Sequence, residues 1–189
     1  MLRFTHDSTR QRAIAVLRFL LSKLYYGSRF RTTKLSLIGR HCDLLIERGG
    51  HIRFQGRVVL IGFNQLYAAG TLSVGAGTTI NEYSRVIAHK AIEIGNNVTI
   101  AKFVSILDHD HRHSLRDGVL ELNDYDLAPV RIGNNVLISD KVTILKGVTI
   151  GDNVIIAANA VVNSDVPSNS IFGGVPARLL NTLQDQQNL

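Results

Sequence analysis

From Ile132 the chain falls into sixes: IGNNVL, ISDKVT, ILKGVT, IGDNVI, IAANAV and VNSDVP. Each opens with Ile or Val, the fifth place is Val in five of the six, and the second place is small or short in most. The same phase appears upstream in IGNNVT and IAKFVS, residues 94–105, and in VGAGTT and INEYSR, residues 74–85. Weaker copies reach back through VVLIGF near residue 58 and LIGR near residue 37. A period of six fits neither an α-helix nor a meander of hairpins. It predicts a chain that turns a corner every six residues, so that three faces close a triangular coil of about 18 residues. The aliphatic first place fills the prism, and Gly, Asn and Asp take the corners, where a left-handed backbone is easiest for them. Successive coils stack as parallel strands about 4.8 Å apart. The expected fold is an all-β solenoid over residues 35–182, with a polar tail at 183–189.

Ahead of the repeat the pattern changes. In TRQRAIAVLRFLLSKLYYG, residues 9–27, the residues Ile14, Leu17, Leu20, Leu21 and Leu24 follow helical spacing. Asp7 or Ser8 can cap the start and Gly27 can end the helix. Arg18 and Lys23 interrupt the apolar run, which is too short to span a bilayer and too charged for a signal peptide. Residues 1–34 are thus expected to form a basic amphipathic helix and linker. The helix packs on the body or on another subunit, or residues 8–31 rest on an anionic membrane surface.

Composition refines this picture. The 16 Gly against 3 Pro, with an Ile- and Val-rich apolar set, favour strands and tight turns. The net charge of +6 is uneven: residues 1–40 carry nine Lys or Arg against the single acid Asp7, and the remainder is near neutral. With no nucleic-acid motif and few aromatics to stack on bases, nucleic acid is not the expected partner. The single cysteine, Cys42, rules out an internal disulfide, fits a reducing, cytoplasmic compartment and is expected to be buried.

The repeat breaks after Ile106 and resumes at Ile132, and the insert, 107–130, is expected to be a protruding loop. It opens with SILDHDHRHSLRDG, where His109, His111 and His113 alternate with Asp108, Asp110 and Arg112. Such a run suits a general base with helpers, a metal site or a solvated loop.

The hexads resemble those of the left-handed parallel β-helix acyltransferases, the hexapeptide-repeat superfamily. The block 129–180, ending in GGVPAR at Gly173–Arg178, is similar to the C-terminal half of the maltose, galactoside and nodulation-type O-acetyltransferases and of surface-polysaccharide acetyltransferases. The resemblance covers roughly residues 70–182. It implies the left hand of the coil, an exception to the usual right-handed crossover, and a homotrimer. It also implies acetyl-CoA as cosubstrate, with no metal, and a histidine in the protruding loop that takes the proton of an acceptor hydroxyl. Counted from VSI at 104–106, that histidine falls on His111, with His109 as the second candidate. Asp108 and Asp110 are candidates to fix its tautomer or touch substrate, and His113 is a substrate contact or a solvated side chain. The family's asparagine beside the histidine matches Asn81 in TINEYS, with Glu82 as the alternative and a simple turn as a third reading. CoA would lie between adjacent prisms, along Ser139, Asp140, Ala157, Ala158, Asn163 and Arg178. Arg178, Lys141 and Lys146 are candidates for its phosphates. Asp140 departs from the small residue common there.

The acceptor implied is a saccharide of capsule, O-antigen or exopolysaccharide synthesis, with a lipid-linked form at the inner membrane face in keeping with the basic helix. Transfer would be direct in a ternary complex, since no placed Cys or Ser nucleophile is evident. Other readings stay open: a nucleotide-sugar N-acetyltransferase, a zinc enzyme of the γ-type carbonic anhydrase kind, and a non-catalytic scaffold.

Overall fold

Three parallel sheets form the faces of a prism in the computed structural model, which describes residues 9–184. The chain is a left-handed parallel β-helix of about seven turns with one N-terminal helix among the described residues. The first face runs from Phe30–Thr32 to Thr149–Ile150, the second from Leu37–Arg40 to Ser170–Gly173, and the third from Asp43–Ile46 to Val161–Val162.

Each place in the hexad has its own physical duty. The first and the fifth both point inward: Ile132, Val136, Ile138, Val142, Ile144 and Val148 are buried. The fourth turns the corner with positive φ, as at Asn135 (55°), Gly147 (80°), Asn153 (56°) and Asn159 (59°). The third supplies an acceptor for the coil beneath: Asn134 Oδ1 accepts the Asn96 N–H at 2.9 Å, and Asp152 Oδ1 accepts that of Asn134 at 2.5 Å. The second must be small where the first face turns into the second, because a Cβ on Gly95 would stand 2.4 Å from the Gly133 carbonyl oxygen above it.

The expected coil of 18 residues holds only in the later turns, where Leu137 pairs with Ile155 and Thr143 with Val161. Earlier turns are longer, by two residues where Thr71 pairs with Ala91 and Arg85 with Ser105, and by four in the first, where Leu37 pairs with Val59 and Asp43 with Gln65. The extra pair, seen as His89–Lys90, sits where the third face turns into the first, which is why the earlier hexads look degenerate.

The helix, Thr9–Tyr26, ends at Gly27 (φ 54°) as expected, whereas its expected caps Asp7 and Ser8 lie outside the described residues, as do 185–189 of the tail. It closes the open end of the prism: Ala15 and Phe19 are buried, and the Phe19 ring meets Phe30 edge-on at 5.8 Å, with Phe30 in turn edge-on to Phe54 at 5.1 Å. Cys42 is half-buried rather than fully buried, and burial pushes its thiol up.

The insert is not an irregular loop. His109–Arg116 and Val119–Leu127 pair as an antiparallel hairpin that leaves the prism at the corner between the third and first faces. Asp117 (φ 51°) and Gly118 (φ 76°) form its two-residue turn, the Asp-Gly pair that such a turn favours. That pair in SLRDGVLEL was the available signal for a hairpin.

Candidate active site

The root of the hairpin is built on Asp108, which is fully buried. Its Oδ1 accepts the His89 N–H at 2.8 Å, and its Oδ2 accepts those of Lys90 and Ala91, both at 2.7 Å. A carboxylate is suited to this corner because it offers acceptors to three amides whose equivalents one coil earlier, Ala69, Gly70 and Thr71, donate to the Ala88 and Lys90 carbonyls, a partnership that the departure into the hairpin removes here. Asp108 is thus engaged with backbone rather than open to a substrate. The corner it seals belongs to the coil beneath, so the hairpin is anchored to the solenoid at its first residue.

His109 follows directly. Its side chain is 16% exposed, and Nδ1 lies 3.6 Å from Asp108 Oδ1, buried and without a hydrogen-bond partner among the described residues. Its ring centroid is 4.3 Å from that of His89 and 5.1 Å from that of Tyr125 on the returning arm. Burial holds the His109 imidazole below its ordinary value, the facing His89 adds to this, and Asp108 opposes it. His111 is exposed on the outgoing arm, with its ring 4.8 Å from Tyr125. Asp110 accepts the His111 N–H at 2.8 Å, and His113 Nδ1 lies 3.2 Å from the His111 carbonyl oxygen.

His89, Tyr125 and Tyr67 are the residues that the sequence reading missed. Tyr125 packs against three histidine rings, the third being His89 at 4.5 Å. Tyr67 lies 5.1 Å from His89, and its phenol donates to Glu47 at 2.6 Å, which pushes its pKa up to about 12. The signal for His89 was the spacing of twenty between it and His109, the period of the earlier coils.

The remaining candidates fall on two corners. Asn81, Glu82, Ser139, Asp140, Lys141, Ala157 and Ala158 stack in one column where the second face turns into the third, through bonds such as Asn81 N–H to Ile100 and Ser139 N–H to Ile156 carbonyls. Arg178 pairs with Gly173 above that column. Lys146 and Asn163 instead follow the third face, on the hairpin's corner. Several of these side chains already have partners within the fold. Asp140 Oδ1 accepts the Lys102 N–H at 2.8 Å, the third-place duty described above, which accounts for an acid there. Lys146 Nζ donates to Asp126 Oδ2 at 2.6 Å, tying the returning arm of the hairpin down and holding the Asp126 carboxyl below its usual range. Asn81 Nδ2 donates to the Ile100 carbonyl at 2.8 Å, and Glu82 lies 3.5 Å from Lys102. One chain therefore separates the histidines from the Asn81–Ala158 column by the width of the third face, a strand of four residues or about 13 Å. Among the described residues no three His, Cys, Asp or Glu side chains converge as an ion site, and no described helix is long and apolar enough to cross a membrane.

The model of the family described as bacterial transferase hexapeptide (six repeats) matches residues 129–164. The chain is 33% identical to a hexapeptide-repeat acetyltransferase of Vibrio cholerae solved with acetyl-coenzyme A, with 70% of this chain and 72% of that one covered and a TM-score of 0.60. It belongs to the hexapeptide-repeat acetyltransferase family. It is also 36% identical to the galactoside O-acetyltransferase of Escherichia coli over 61% of its own length and 56% of the relative's. The chain spans 44% to 66% of the length of three further curated relatives. An N-acyltransferase of Bacillus cereus, AntD, shares the fold with a TM-score of 0.71 at 19% identity, with 88% of this chain and 90% of that one covered.

Proposed function

We propose that the protein transfers the acetyl group of acetyl-CoA to a sugar hydroxyl, with a histidine of the hairpin as general base. The observation that carries the reading is the seating of His109: half-enclosed at the root of the hairpin, backed by the Asp108 carboxylate and walled by His89 and Tyr125. His111, the position favoured by counting from VSI, stands on an exposed arm with one ring contact. The geometry therefore favours His109 as the base, with His111 next to it as an acceptor contact.

The chemistry follows from the ring. With Nδ1 turned to Asp108, Nε2 is the nitrogen left to take a proton, and a neutral imidazole is the form that can do so. It removes the proton of the acceptor hydroxyl as the oxygen attacks the thioester carbonyl carbon. The tetrahedral oxyanion collapses, the C–S bond breaks, and the imidazolium returns the proton to the departing CoA thiolate. Asp108, its oxygens held in place by three backbone amides, faces the imidazolium that forms.

CoA would lie along the column of Ser139, Ala157 and Ala158, where small residues let the pantetheine arm approach, with Lys141 and Arg178 near its phosphates. That column and the hairpin meet only if a second copy sets one corner against the other, so a homotrimer completes the site. The acceptor favoured is a saccharide of surface-polysaccharide synthesis carried on a lipid at the inner membrane face.

The test is calorimetric titration of acetyl-CoA followed by an acceptor screen. Saturable binding near one site per chain is expected. His109→Ala should bind acetyl-CoA normally and lose about 10²–10⁴-fold in transfer, the usual worth of a general base. Absence of acetyl-CoA binding would remove the reading, and loss of transfer in His111→Ala alone would move the base to His111.

A further inference from the structure

The N-terminal helix has two apolar faces, and the prism uses only one. Ala15 and Phe19 are buried against the first coil. Ile14, Leu17, Leu21 and Leu24 form a second stripe at three- and four-residue spacing, with Leu20 and Tyr25 at its margins. Leu17 and Leu21 are each 54% exposed, Leu24 82% and Tyr25 77%. A contiguous apolar stripe of this extent on an otherwise polar surface marks an association site.

The charges around it select the partner. The helix contains no acid, and its cations are Arg10, Arg12, Arg18 and Lys23. At 100° per residue Arg18 borders the stripe on one side, Arg10 lies in line with it at its N-terminal end, and Arg12 and Lys23 lie further round, towards the buried face. A second copy of the helix laid on this stripe would bring like charges together at the Arg18 rim and the Arg10 end, where a coiled-coil seam places opposite ones. An anionic bilayer satisfies both features at once: the leucines enter the acyl boundary and the cations lie at headgroup level. We infer that the exposed stripe of the N-terminal helix seats the protein on an anionic membrane surface. The inference stands apart from acetyl transfer and is read by a different measurement.

The full chain is mixed with vesicles of pure phosphatidylcholine, or of phosphatidylcholine with phosphatidylglycerol, and sedimented. Binding is expected to the anionic vesicles, with little to the neutral ones, and to weaken with added salt. Leu17→Gln with Leu24→Gln should weaken it at least about tenfold, since each removes a largely solvent-exposed leucine from the lipid contact. Arg10→Glu with Arg18→Glu should abolish the preference for anionic lipid. None of the four side chains is buried against the prism, so circular dichroism should report an unchanged fold. Absence of sedimentation, equal binding to both vesicles or unaltered binding by the leucine variant would each overturn the inference. So would a leucine variant that changes the oligomer in sedimentation velocity while vesicle binding persists, which would give the stripe to a second copy.

Discussion

His109 and His111 stand two positions apart in sequence and differ by their whole environment in space. His109 is packed by His89 and Tyr125 and backed by a buried carboxylate, and desolvation lowers its proton affinity. The sign for activity follows. The base must be neutral, so kcat/KM rises with pH through the His109 titration and is level above it. Because burial depresses that titration, the acid limb should have its midpoint below the ordinary imidazole value of about 6.5. His89→Asn removes the facing imidazole and opens the site to water, so it should move the midpoint up. A limb at or above the ordinary value, or one that His89→Asn leaves in place, would take the role of base away from His109.

The hexad assigns an environment to each of its places, and the second place is the least forgiving at the corner where the first face turns into the second. Gly75, Gly95, Gly133 and Gly151 stack in one column, each with the backbone or a corner side chain of the next coil where its Cβ would stand. Gly95→Ala should cost about 1–3 kcal/mol, the usual cost of overpacking, towards the upper end because rigid backbone lies on the far side. Gly118→Ala, in open space at the tip of the hairpin, meets only the strain of its positive φ and should cost about 1–2 kcal/mol. Thermal unfolding of the two variants distinguishes them, and equal losses would contradict a tight column. The hairpin shows the limit of periodicity as a signal. Its arms are mostly exposed and carry no inward face, so only the Asp117-Gly118 turn marked it, and a protruding loop was the natural reading of an insert without the repeat.

Across the whole molecule, the two corners that hold the candidate residues lie on opposite edges of the third face. A site made from both requires two chains. If the proposed homotrimer forms, co-expressing His109→Ala with Arg178→Ala should restore part of the activity that each variant lacks alone, because a mixed assembly would hold one interface with both side chains intact. Activity of the mixture that stays at the level of the single variants would place the site within one chain. Membership of the acetyltransferase family and the similarity to a relative solved with acetyl-coenzyme A support this arrangement as the proposal to test.

The sequence by itself determined the solenoid, its corners and the helix that precedes it. Each depends on which way a side chain points relative to its near neighbours, and a period of six or of three to four records that directly. The left-handed corners at Asn135 and Asn153 and the buried Ile-Val ladder were legible for this reason. Only the tertiary structure decided which histidine is enclosed, what Asp108 holds and where the candidate residues gather. Those depend on residues about twenty apart that are stacked by the coil, as His89 is beneath His109, and on an extra pair at the corner that shifts the count. It likewise decided that Phe19 closes the prism while Leu17, Leu21 and Leu24 face outward. Helical spacing marks both sets as apolar, and only the first coil, by its shape, takes one and leaves the other free.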